Sequence, residues 1–247
     1  MVAFRILSLA SVQAVFLQVI FFHAVFSISA HAKLALIYDG PGTCAEGCAR
    51  AVERPAKTAG LDVRFVQPAE INASLLSQAA LWIQPGGDAI TVATILSDFQ
   101  KRELREFVSN GGGYVGFCAG AFFADHKVDD ALTIDGLGLI PGEANDYHVD
   151  PRLQILPIQW HGKTRHIYFE DGPYFVMNTN DPSHMVGSYP NGALASVSFP
   201  YGRGRVALSG PHPEAPSDWK KKAHLYDPDG SDVDLAIQMI RWAIGSK

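Results

Sequence analysis

Cys118, His212 and Glu214 are the residues of this 247-residue chain whose types and spacing point to chemistry. A cysteine attacks a carbonyl as its thiolate. It needs an imidazole to take its proton and pass it to the leaving group, and the imidazole needs a carboxylate to hold its tautomer. Cys118 sits in Gly116-Phe117-Cys118-Ala119-Gly120, preceded by Gly111 to Val115 and followed by Ala121-Phe122-Phe123. Tyr114, Val115 and Phe117 suit a buried parallel strand, and the small residues around the cysteine let strand and helix pack closely across a sharp turn. The stretch reads as a nucleophile elbow with sulfur in place of hydroxyl, whose turn aims the thiol at solvent while the helix start beyond it favours the thiolate. His212-Pro213-Glu214 supplies the other two groups, because alternate residues of an extended segment point the same way and Pro213 stiffens the backbone between them.

The elements that must position these residues follow from periodicity. Lys33 to Tyr38 is a run of strand formers that stops at the turn Asp39-Gly40-Pro41-Gly42. A helix is expected from Cys48 to Ala59, a strand from Leu61 to Val66, a short helix over Ile71 to Ala79 and a third strand from Ala80 to Ile83. Short apolar strands alternating with helices imply a parallel sheet covered on both faces, with ligands bound beyond the carboxyl ends of the strands. At that end Gln84-Pro85-Gly86-Gly87-Asp88 bares backbone amides, which with the amide of Ala119 suit an oxyanion hole. Ser97 to Asn110 reads as a helix with a Ser97/Gln100 capping box and Gly111 at its C′ position. Beyond the elbow, Leu153 to Trp160 with Arg165 to Tyr168, and Ala193 to Phe199 with Arg205 to Ser209, read as hairpins of an antiparallel extension. Tyr168 and Tyr174 suggest a mostly apolar pocket wall.

Met1 to Ala32 carries one charge, Arg5, before an apolar run from Ile6 to Ile28 and ends in Ala30-His31-Ala32. This is the layout of a secretory signal cut after Ala32, giving a periplasmic or secreted protein; the run is also long enough to serve as an uncleaved membrane anchor. Residues 33–247 are then expected to form one domain. The net charge of −5 has both signs interspersed, and Lys220-Lys221-Lys222 reads as a solvated helix face, so nucleic acid is not an expected partner. The histidines show no compact metal-ligand spacing, and neither a metal nor a cofactor is expected. Three cysteines in an exported chain leave at least one unpaired, which fits a free Cys118. Cys44 and Cys48 are close enough to pair, although a four-residue spacing inside a regular helix suits a disulfide poorly.

Gly116 to Gly120 together with His212-Pro213-Glu214 resembles the class I glutamine amidotransferase-like superfamily, whose members carry a Cys-His-Glu triad on a flavodoxin-like sheet. A narrower resemblance takes in Tyr38 to Thr43, Pro85-Gly86-Gly87-Asp88, Gly112 to Ala121, Tyr168-Phe169 with Gly172, and Gly210 to Glu214. In that order they look like the N-terminal, amidotransferase-like domain of the large eukaryotic biotin–protein ligases. The resemblance implies a three-layer α/β sandwich with a mostly parallel sheet. It also implies Cys118 as nucleophile, His212 as base, Glu214 as its orienting partner, and oxyanion amides at Gly87 and Ala119. The substrate pocket is then expected to be bordered by Asp39, Gly40, Gly42, Thr43, Gly86, Tyr168 and Gly172.

Biotin ligation itself is not expected, because the chain ends where the ligase's catalytic domain would begin and starts with an export signal. Gly202-Arg203-Gly204-Arg205, which is similar to the ligase's biotin-loop motif, reads as a hairpin turn. The expected function is hydrolysis of an amide or γ-glutamyl-type bond in a small or peptide-like substrate through a thioester. The alternative is a non-catalytic module that binds a small ligand or partner on the same fold.

Overall fold

In a computed structural model of the chain, residues 33–129, 131, 133–178, 181 and 184–246 are described. The expected signal or anchor segment, residues 1–32, lies outside them. Among the described residues no helix is long and apolar enough to cross a membrane.

The strands in chain order are β1 (Lys33–Tyr38), β2 (Leu61–Val66), β3 (Ala79–Gln84), β4 (Gly113–Phe117), β5 (Lys127–Asp129), β6 (Ile134–Asp135), β7 (Gly142–Asp146), β8 (Leu153–Trp160), β9 (Lys163–Glu170), β10 (Pro173–Met177), β11 (Met185–Ser188), β12 (Leu194–Tyr201) and β13 (Gly204–Ser209). The main sheet runs β2-β1-β3-β4-β13-β12-β11-β8-β9, with β10 and β7 joined to it through β12. The five strands from β2 to β13 are parallel, and from β12 onward the pairing is antiparallel. The fold is therefore α/β, a parallel core with an antiparallel extension.

The helices are α1 (Cys48–Ala51), α2 (Glu53–Thr58), α3 (Ala73–Leu76), α4 (Ala89–Ile95), α5 (Asp98–Ser109), α6 (Ala119–Phe123), α7 (Ser217–Lys222) and α8 (Val233–Ala243). Period-two alternation in the core strands feeds two separate apolar cores. Ala35, Ile37, Leu81, Ile83, Val115 and Phe117 pack against α1, α2 and α8 on one face. Leu36, Tyr38, Trp82 and Tyr114 pack against α3, α4, α5 and α6 on the other. Near-continuous apolar strands are required because both faces are covered.

Two local readings change, and one helix is added to them. The single helix expected from Cys48 to Ala59 is two helices meeting at Val52, because Pro55 has no N–H to give the Ala51 carbonyl. The turn after β3 leads into α4, whose N-terminus Asp88 caps by accepting from the amides of Ile90 and Thr91. Lys220 does not lie on a solvated face: it is buried, donating to Asp227 and to Asp232, the latter at 3.3 Å, while Lys221 and Lys222 are exposed. The Ser97/Gln100 capping box starts α5, and Gly111 follows its end at φ +117°. Gly202 and Arg203 are the turn between β12 and β13.

Candidate active site

The parallel strands β1, β3, β4 and β13 all deliver their carboxyl ends to one edge, so the segments that follow them converge there. Cys118 follows β4 and precedes α6 at φ +48°, ψ −109°, a conformation that a non-glycine residue holds only under constraint from its surroundings. The constraints are visible. The Cys118 amide donates to the Ser209 carbonyl at 2.9 Å, and the Tyr114 hydroxyl donates to the Gly120 carbonyl at 2.7 Å. The two glycines of the elbow permit close approach. A Cβ on Gly116 would stand 2.4 Å from the Gly120 oxygen, and one on Gly120 would stand 2.0 Å from the Gln84 oxygen. The Cys118 thiol itself donates to the Glu170 carbonyl at 3.4 Å.

His212 and Glu214 leave β13 through Gly210-Pro211 and turn under the same edge. His212 Nδ1 lies 2.8 Å from Glu214 Oε1, with both residues buried. The His212 amide donates to the Tyr168 carbonyl at 2.8 Å, and the rings of Tyr168 and Trp219 stand edge-on to the imidazole at 5.8 Å. Burial opposes charging His212. The Glu214 carboxylate, together with Cys118 beside the ring, outweighs it and holds the imidazole well above its ordinary pKa. With Nδ1 committed to Glu214, Nε2 is the nitrogen left to serve Cys118.

Gly87 and Thr43 form an isolated antiparallel bridge closed by Asp88 N–H to Gly42 O at 2.7 Å and Cys44 N–H to Gly86 O at 3.3 Å, a pattern that does not use the Gly87 amide. Gly87 is exposed at φ +140°, and a Cβ there would lie 2.0 Å from the Gly42 oxygen. Cys44 and Cys48 form a disulfide with a Cα separation of 5.4 Å. Cys44 stands in the turn before Gly47 and Cys48 opens α1, so the pair does not lie within one regular helix. Cys118 is the free cysteine.

A cavity of about 770 Å³ opens above these groups, and Cys118, Ala119, His212, Gly42, Thr43, Gly87 and Tyr168 line it. Four residues expected at its border do not reach it. Asp39 turns away to pair with Arg50 at 2.9 Å, and Gly40 is packed against Pro68 and Tyr38. Gly86 lies beneath the imidazole, where a Cβ would meet His212 Cε1 at 2.6 Å, and Gly172 lies against the Gly210 carbonyl, where a Cβ would be 2.0 Å away. These glycines make room for backbone or ring. The expected apolar wall is also corrected: Glu46, Asp129, Asp146, Glu170 and Asp171 line the cavity beside the aromatic Tyr168, Phe122 and Trp219. Nothing local in the sequence marks these acids, which come from separate loops and strand ends. Among the described residues no cluster of side chains has the makings of a metal site.

The sheet and the elbow together make an α/β fold with a cysteine turn at the carboxyl edge of its parallel strands. Residues 34–135 match the family described as "Biotin-protein ligase, N terminal", a match that includes Cys118 and stops before His212. The chain is a distant homologue of the biotin–protein ligase of Schizosaccharomyces pombe, 26% identical over 168 residues, which are 56% of this chain and 26% of the ligase. It thus spans about a quarter of that relative. Among solved structures it is similar to PurLQS from Thermotoga maritima, with a TM-score of 0.58 and 16% identity over 84% of this chain and 98% of that one. A glutamine amidotransferase aligns with a TM-score of 0.57 and 17% identity over 77% of this chain and 95% of its own. At such identities the likeness is one of fold.

Proposed function

We propose that the chain is an exported cysteine-dependent hydrolase of an amide or γ-glutamyl-type bond. The observation that carries the reading is that His212, held 2.8 Å from the buried Glu214, lines one cavity with a strained Cys118. In the proposed reaction His212 takes the thiol proton and the Cys118 sulfur attacks the carbonyl carbon. The oxyanion is met by the amides of Gly87 and Ala119, where loss of one donor typically costs about 3 kcal/mol of barrier. The tetrahedral intermediate collapses as His212 returns the proton to the leaving amine, leaving a thioester on Cys118. His212 then takes a proton from water, the hydroxide attacks the thioester, and the thiol and a carboxylic acid are regenerated. Export is read from the composition of Met1 to Ala32, and the Cys44–Cys48 disulfide suits an oxidising compartment.

The test uses the chain from Lys33 with coumarin amides and γ-glutamyl p-nitroanilide as probes. Turnover is expected with an acyl adduct on Cys118 visible by mass spectrometry, and Cys118→Ala is expected to reduce kcat at least about 10³-fold. Full activity in Cys118→Ala would remove Cys118 as the nucleophile, and neither turnover nor adduct with any probe would leave the binding module as the reading.

A further inference from the structure

We infer that the Cys118 cavity selects a cationic substrate, an amide carrying an ammonium or guanidinium group, with Glu46 and Asp146 among the residues that draw it in. The inference deepens the hydrolase reading and rests on Cys118 being the group that the substrate must reach. Among the described residues six carboxylates line the cavity: Glu46, Asp88, Asp129, Asp146, Glu170 and Asp171. Asp88 is committed to capping α4, and Asp171 is paired with Arg152, the one lysine or arginine among the described lining residues. Glu170 accepts from the Tyr168 hydroxyl at 3.1 Å, which leaves its negative charge in place. The cavity therefore carries a clear excess of negative charge, and a substrate carboxylate would find no uncommitted lysine or arginine there.

A second observation is independent of the charge count. Tyr168 and Trp219, with ring centroids 5.6 Å apart, line the same cavity beside His212. Aromatic rings backed by carboxylates are the surroundings in which organic cations are held. Cys118 is only 7% exposed, so whatever reacts with it must pass between these groups. A cleft of one sign with low-dielectric walls raises the on-rate of the opposite charge about 10- to 10³-fold.

The probe is the rate at which Cys118 is modified by three methanethiosulfonates: cationic trimethylammonioethyl, anionic sulfonatoethyl and neutral methyl. The thiolate forms a disulfide with the attacked sulfur and methanesulfinate leaves, so no other reactant is needed. Rates are divided by those of a small free thiol. The cationic reagent is expected to outpace the anionic one about tenfold or more at low salt. That ratio should fall toward one in about 0.5 M salt and in Glu46→Gln/Asp146→Asn, whose positions are both exposed. Equal rates, a faster anionic reagent, a ratio untouched by the double variant, or no labelling by any reagent would overturn the inference. Amide probes of matched structure separate the two claims. Faster hydrolysis of anionic or neutral amides removes the charge selection and leaves the hydrolase. Cationic labelling preference without hydrolysis of any amide removes the hydrolase and leaves a cation-selective binding site.

Discussion

His212 Nδ1 and Glu214 Oε1 face each other at 2.8 Å across a single proline, and neither side chain is appreciably open to solvent. A carboxylate placed so makes the imidazole a stronger base while fixing which of its nitrogens is free, and both effects are measurable.

Glu214→Gln keeps the shape of that contact and removes its charge. In the wild type the folded His212 titrates well above its ordinary value near 6.5, so its contribution to stability is full below that pH. The contribution drains away as the pH rises toward the folded value. Denaturant unfolding across pH 5.5 to about 9 is expected to show a steeper alkaline loss in the wild type than in Glu214→Gln; parallel curves would deny the coupling.

Gly120→Ala tests the elbow's packing. The added methyl would meet the Gln84 backbone at 2.0 Å, and α6 must lift off β3 to admit it. A stability loss of about 1–3 kcal/mol is expected, as for overpacked cores, with slower Cys118 alkylation because the turn moves with the helix. Unchanged unfolding midpoints would show that the helix accommodates the methyl freely.

Lys220→Met removes the buried cation between Asp227 and Asp232. Burial already pushes Asp232 up to about 6 despite the pull of Lys220 and Arg165, so this carboxylate costs stability as pH rises from 3.8 through that value. Without Lys220 a loss of about 3–5 kcal/mol is expected at neutral pH, and less at pH 5, where protonation relieves Asp232. Thermal unfolding at the two pH values decides it, an equal loss at both counting against the charge argument.

The Cys44–Cys48 bridge closes a very short loop, so the chain-entropy account assigns it at most about 2 kcal/mol. Its position matters more. A Cβ on Gly86 would touch both Cys48 Sγ, at 3.3 Å, and His212 Cε1, at 2.6 Å, so the sulfur packs close to the base. Cys44→Ala/Cys48→Ala is expected to lose little stability by denaturant titration but to change the rate of Cys118 alkylation several-fold, and an unaltered rate would make the bridge a distant brace.

Much of what places the nucleophile is local and therefore legible in the chain. Gly116 and Gly120 flank a cysteine that must turn sharply, Ser97 and Gln100 announce a helix start, and the His212-Pro213-Glu214 spacing puts two side chains on one side of an extended segment. Two glycine readings were harder. Gly86 and Gly172 border the site in sequence, yet each is glycine because a ring or a carbonyl occupies the space a Cβ would take. Lys220 looks like its two neighbours in sequence, and only the later loop that brings Asp227 and Asp232 against it makes it a buried cation.

By itself the sequence determined the strand and helix periods, the parallel core they imply, the elbow around Cys118 and the pairing of His212 with Glu214, because each depends on residues within a turn or two of one another. Only the tertiary structure decided what stands around that pair. Glu46, Asp129, Asp146 and the adjacent Glu170 and Asp171 come from four separate stretches of chain, and Trp219 reaches His212 from α7. A strand order that sets β13 beside β4, with loops folding over their carboxyl ends, is what collects those charges and rings above one sulfur atom. Electrostatic surroundings depend on distance through space, and distance through space is what a linear pattern of residues does not carry.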